Sequence, residues 1–277
     1  MKPSDLLKLN FPPVILIYSD AGSGKTALIA QLTGAYVFDF DGGMKTAATL
    51  KDKFFKARQG RDDDFFDIYK DMNPLKPTKY FEAMKKLKQI IELCAKGKWN
   101  HDACVIDSLT GLCVAAQLSV QFSSKQDSFA KMEIQNWGSL TNEVDRFLLL
   151  LQALNVPVIV TAHVEMLERK GTKLTDPTVI TDMFPASATK NHGNKKLSSH
   201  FDEMWYACAK PAGGNAINYT VTGKPTGIIR ARTRSSFETV THNDCGMVGL
   251  LKMIGYNYGN EEQTRDAGQT QSIQPKI

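Results

Sequence analysis

Apolar positions in this chain fall into two kinds of run. Val14 to Tyr18, Tyr36 to Phe40, Ala103 to Asp107 and Pro157 to His163 are short and nearly unbroken. Unbroken runs of that length suit strands covered on both faces, as in a parallel sheet. Between them apolar residues recur at helical spacing. Lys79 to Lys96 places Phe81, Met84, Leu87, Ile90, Ile91 and Cys94 on one face. Trp137 to Leu154 does the same with Leu140, Val144, Phe147, Leu148 and Leu151. Thr26 to Thr33 opens a further helix, and residues 44–100 read as mostly helical. Strand and helix alternate, so right-handed crossovers predict an α/β fold with a mainly parallel, twisted sheet flanked by helices.

The pattern changes after residue 165. Residues 165–200 are polar, interrupted by Gly171, Pro177, Pro185 and Gly193, and read as a long irregular segment ending in a basic run, Lys190 to Lys196. Strands are expected to resume at Met204 to Ala209, Asn218 to Thr222 and Gly227 to Thr233, with Gly213-Gly214 as a turn signal. Antiparallel strands at the C-terminal end of the sheet follow from this. Residues 1–258 therefore form one expected domain, and the Gln-rich stretch 259–277 an expected loose tail.

Composition narrows the class only modestly. A hydrophobic share of 42% with 23% charged residues suits a globular domain with a core. No apolar run approaches the ~18 residues that a membrane span needs, and Met1 to Asn10 lacks a signal-peptide core. A cytoplasmic location with no membrane partner is the expectation. Five scattered cysteines without a Cys-x-x-Cys pair point to reduced, structural thiols and offer no zinc site. The net charge of +5 permits nucleic-acid binding without demanding it.

Chemistry concentrates where the first strand ends. Ser19-Asp20-Ala21-Gly22-Ser23-Gly24-Lys25-Thr26 follows a buried strand and opens a helix. In a Gly-x-x-x-x-Gly-Lys-Ser/Thr loop, main-chain N–H groups surround a phosphate, the lysine reaches the terminal phosphates and the hydroxyl binds Mg²⁺. ATP and Mg²⁺ are the cofactors this predicts. Ser19 stands where the first glycine belongs, at a strand exit that tolerates a small residue. Asp107 ends an apolar strand and completes the expected metal site with Thr26. Asp41, at the tip of the second strand, is the favoured group for activating water, with Asp39 two residues deeper. His163 ends the fourth strand at the same carboxyl edge, where it can sense the terminal phosphate.

The order of these pieces, with Trp137-Gly138 before a long helix, resembles phage nucleotide-binding proteins of the RecA-like class, closest to the single-strand annealing ATPases of the Sak group. The resemblance spans about residues 12–255. It implies a RecA-like core and ATP-dependent binding of single-stranded DNA, with annealing or strand pairing during phage recombination. The site of action would be the host cytoplasm. Where that family commonly has a strand-end glutamate, this chain has Asp41, which together with Ser19 implies slow hydrolysis.

The loop after His163 would correspond to the family's DNA-binding loop, with Lys190, Lys195 and Lys196 on the phosphates and Phe184 or His192 as a weaker stacking candidate. Alternation in Ile228 to Arg234 puts Arg230, Arg232 and Arg234 on one strand face. By the resemblance, Arg230 and Arg232 would reach a neighbouring subunit's terminal phosphate, which implies a homo-oligomeric ring or filament. A single-strand-binding protein is a further candidate partner. The competing reading is a nucleotide-switched adaptor or helicase loader. A small-molecule kinase is disfavoured, because such enzymes close an Arg-rich lid and residues 165–200 contain Arg169 alone.

Overall fold

The computed structural model describes residues 12–32, 34–44, 66–169, 178–212, 217–235, 238–241 and 245–258. In chain order these form β1 (Val14–Ser19), α1 (Lys25–Ile29), β2 (Ala35–Asp39), β3 (Phe66–Ile68), α2 (Lys79–Ala95) and β4 (Ala103–Asp107). There follow α3 (Leu109–Ser123), α4 (Ile134–Leu151), β5 (Val158–Arg169) and β6 (Val179–Pro185). A π-helical turn (His192–Lys196) and a 3₁₀ turn (Leu197–His200) then lead to β7 (Glu203–Pro211), β8 (Ile217–Thr222), β9 (Thr239–Thr241) and α5 (Gly246–Met253).

The sheet runs β3-β2-β4-β5-β1-β7-β8-β9, with β6 paired to β5 off this path. From β3 to β7 neighbours are parallel, whereas β7-β8, β8-β9 and β5-β6 are antiparallel. The expected architecture is therefore present. Strand alternation splits the core in two. Leu16, Tyr18, Ile106 and Val160 face α2, α3 and α4, while Ile15, Ile17, Val105 and Ile159 face α1 and α5. Both faces are dry, which is why these strands read as continuous apolar runs.

Five details depart from the sequence reading. β3 lies inside the stretch taken as mostly helical; the remainder of residues 45–65 is outside the described residues. Phe81 is 52% exposed and Tyr80 only 2%, so α2 is turned to bury Tyr80, Ala83, Leu87 and Ile90. The polar segment after residue 165 is more regular than expected, because β5 continues to Arg169 and pairs with β6. Ile228 to Arg234 is not a strand. Isolated bridges at Ile229 and Arg232 hold it to Thr226, Met183 and Met204. Finally, α3 and α5 are helices that the sequence pattern did not predict. The Gly213-Gly214 turn and the 259–277 tail lie outside the described residues. Among those residues, no helix is long and apolar enough to cross a membrane.

Candidate nucleotide site

Parallel pairing brings the ends of β1, β2, β4 and β5 to one edge. Ser19 is in register with His163, and Asp39 with Asp107. β5 thus lies between the strand that feeds the glycine-rich loop and the strand that ends in Asp107.

Within the loop, Gly22 (φ 76°) and Gly24 (φ 84°) occupy the left-handed region that L side chains avoid. Gly24 is needed for a second reason. A Cβ there would sit 2.9 Å from the Tyr219 ring, which leans over the loop from β8. Lys25 is buried, and its Nζ donates to Ser19 Oγ (2.7 Å), Asp20 O (2.9 Å) and Ser19 O (3.1 Å). Burial lowers the pKa of this ammonium, while the charges of Asp107, Asp20 and Asp41 oppose that shift. The Ser19 hydroxyl that replaces the first glycine also bonds Ser23 Oγ. It has become part of the loop's own framework.

Asp107 is 4% exposed. Its Oδ2 lies 3.4 Å from Thr26 Oγ1, and its Oδ1 accepts from the Thr161 hydroxyl. Burial, reinforced by Asp41 and Asp39, pushes its carboxyl up from 3.8 to about 6, with Thr161 and Lys25 pulling the other way. Gly43 closes this corner: a Cβ there would come 3.4 Å from Asp107 Oδ2 and 3.9 Å from Thr26 Oγ1. A hydroxyl and a carboxylate oxygen facing one glycine-lined gap suit an oxygen-seeking cation such as Mg²⁺, and charge crowding on Asp107 favours a cation there. The residues fit the cofactors that the loop predicts.

The candidates for water activation separate cleanly. Asp39 is fully buried and accepts from the N–H groups of Gly42 (2.7 Å), Gly43 (3.1 Å) and Met44 (3.1 Å), which makes it the clasp of the turn. Asp41 stays half-exposed, with Oδ2 3.8 Å from His163 Nε2. The two residues singled out at separate strand ends thus face each other. Lys70 Nζ donates to Asp41 O at 3.2 Å, and the peptide between Asp107 and Ser108 is cis. Ser108 caps α3 by accepting from Gly111 N at 3.1 Å.

Sequence reasoning passed over Thr161, Lys70 and Tyr219. Thr161 was detectable in part, as a hydroxyl inside an apolar strand and two residues before His163 on the same face. Lys70 and Tyr219 reach this edge only through the fold.

The basic candidates lie elsewhere. Lys190, Lys195 and Lys196 are exposed, and Lys190 Nζ sits 3.4 Å from Glu165 Oε1. Phe184 and His192 are buried, at 0% and 1% exposure, so neither can stack on a base; the His192 ring is held by Ser187 and Asp145 instead. Arg230 Nε donates to Asp182 Oδ1 (2.9 Å) and its Nη1 to Asn194 O (3.2 Å). Arg232 donates to Ser198 O (2.8 Å) and Arg234 pairs with Asp202 (2.9 Å). The three arginines do not share a strand face, and each has a partner in its own chain.

Among solved structures, the RadB recombinase is similar at 15% identity and a TM-score of 0.39, over 86% of this chain and 90% of that one. A KaiC-like protein from the hyperthermophilic archaeon Pyrococcus horikoshii OT3 is similar at 12% identity and a TM-score of 0.40, over 83% and 84%. No curated protein matches the sequence. The model of the AAA domain family matches residues 12–235, most of the chain and all of the site above; the chain belongs to that family and is a P-loop NTPase.

Proposed function

We propose that this protein is a Mg²⁺-dependent ATPase that binds single-stranded DNA and promotes annealing or recombination, working as a ring or filament of identical subunits. The observation that carries the catalytic half is the 3.4 Å approach of Thr26 Oγ1 to Asp107 Oδ2 beside the buried Lys25. When bound, Mg²⁺ supplies charge neutralisation across the β- and γ-phosphates. Thr26 and Asp107 would hold it. Lys25 would exchange its contacts with Ser19 and Asp20 for phosphate oxygens. Asp41 would orient the attacking water, steadied by His163, and its short side chain fits a slow turnover. Slow, DNA-stimulated turnover is the expected behaviour.

Three observations support the DNA half: Lys190, Lys195 and Lys196 are exposed, they lie on or just before the π-helical turn that comes after β6 in the chain, and β5, which pairs with β6, carries His163. Arg230 and Arg232 are proposed to act in trans, after giving up Asp182, Asn194 and Ser198 as partners. The pairing of Lys190 with Glu165 favours a second reading, a nucleotide-switched adaptor or helicase loader, because a cation already occupied within the chain attracts DNA less. The test is steady-state ATP turnover with Mg²⁺, with and without single-stranded DNA. Turnover that rises with DNA supports the first reading. Turnover indifferent to DNA, with a replicative helicase recovered in a pull-down, selects the second. Absence of any nucleotide binding overturns both.

A further inference from the structure

Away from the nucleotide edge, three ligand-type side chains converge from distant parts of the chain. Asp145 projects from α4, His192 begins the π-helical turn and His200 ends the 3₁₀ turn. Asp145 Oδ1 lies 2.7 Å from His192 Nε2 and 2.9 Å from His200 Nε2, and one ligand atom from each residue falls within 4.8 Å of the others. His192 is 1% exposed, His200 11% and Asp145 28%, so the cluster is largely dry yet open to solvent on the aspartate side.

We propose that Asp145, His192 and His200 form a Zn²⁺ site that pins the basic turn to α4. Two imidazoles and one carboxylate are a donor set that zinc favours, with water in the fourth position. At zinc bond lengths of about 2.0–2.1 Å, tetrahedral ligand atoms stand roughly 3.3 Å apart. The two shorter separations need to open by about half an ångström to meet that spacing.

The surroundings hold the ligands ready. His192 Nδ1 is 2.7 Å from Ser187 Oγ, the outer contact that fixes ring orientation in zinc sites. His200 O accepts from Gln152 Nε2 at 3.1 Å, tying it a second time to the end of α4. Gly193 permits the close approach, since a Cβ there would collide with Pro185 O and come 3.2 Å from the Phe184 ring. The π-helical turn itself is a rare form that recurs at ligand sites.

The site stands independently of the nucleotide reading, and its test uses the full chain without nucleotide. The protein is loaded with Zn²⁺, dialysed, and assayed for retained metal by atomic absorption; a parallel sample is loaded with Co²⁺ and read by visible spectroscopy. Wild type is expected to retain about one equivalent, to give the intense visible bands of tetrahedral Co²⁺, and to melt higher with zinc. Asp145→Asn and His200→Gln should each weaken zinc at least tenfold. His200→Gln keeps a donor towards Asp145, so it preserves the folded turn should Asp145→Asn fail to fold; circular dichroism checks both. Thr26→Ala should retain zinc, which separates this site from the cation corner of the P-loop. Loss of zinc by wild type on dialysis, or undiminished retention in His200→Gln, overturns the proposal.

Discussion

The molecule handles charge in opposite ways at its two charged regions. At the sheet edge, Lys25, Asp39 and Asp107 are buried, and Asp107 is raised to about 6 by burial and by its acidic neighbours. Around residues 182–234 the reverse holds: Arg230, Arg232 and Arg234 each have a partner, and Lys195 and Lys196 stand in water. The first region is electrostatically unsettled and gains most from a triphosphate and a cation. The second is at rest. A site that stores unfavourable charge is a functional candidate on physical grounds, whereas a satisfied basic surface needs direct binding data.

The contrast is sharpest for Lys25→Ala, which should weaken ATP binding by at least about a hundredfold in isothermal titration, in line with losing a desolvated charge-assisted contact. Affinity equal to wild type would break the site assignment altogether. Next, Asp107→Asn should cut turnover by about a hundredfold or more, while stabilising the nucleotide-free protein. The sign follows from the raised carboxyl. Asp107 contributes stability below its unfolded value of 3.8 and loses it as pH rises through about 6. Asp107→Asn should therefore melt above wild type from about pH 6 upward, by roughly 1–3 kcal/mol, with the gap closing towards pH 4. A variant less stable than wild type at pH 7 would show that this charge is not stored.

The resting region should respond less. Replacing Lys190, Lys195 and Lys196 by Ala should lower single-stranded DNA affinity about tenfold at low salt and flatten the salt dependence by up to about two in slope. An unchanged slope would move the DNA contact elsewhere. The smallest effect is expected of Ser19→Ala, which removes the 2.7 Å contact to Lys25 Nζ. ATP affinity should change by no more than about threefold, because a phosphate replaces that partner on binding. A larger loss would mean that the serine positions Lys25 in the bound state.

What was legible in the sequence was local. The glycine-rich loop is contiguous, and β4 runs from Ala103 to Asp107 as read, because its five residues are buried without exception. The helix expected from Trp137 to Leu154 is three residues displaced, at Ile134–Leu151, since its buried stripe fixes the axis but not the ends. α3 escaped notice because LTGLCVAAQLSVQFS is apolar nearly all round and shows no clear stripe. β3 has only three residues, one of them Asp67. The alternation in Ile228 to Arg234 is real, but its backbone is held by single bridges rather than by a continuous ladder. Asp41 was preferred over Asp39 on its place at the strand tip; what spacing could not show is that three backbone donors make Asp39 the turn's anchor. Asp145, His192 and His200 were illegible as a group, because 47 and 55 residues of chain separate the aspartate from its two partners.

β5 is twelve residues long, and only its first half belongs to the sheet interior. His163 sits where the buried part gives way to the exposed part, and its carbonyl accepts from Ala186 N at 2.7 Å. Beyond it, Glu165 faces Phe184 and reaches Lys190. The span from the phosphate edge to the basic turn is thus a stiff beam with a crosspiece at its fulcrum. A tilt at His163 would therefore be passed to Ala186 through one backbone hydrogen bond and along the β5–β6 pairing, without a relay of rearranging side chains.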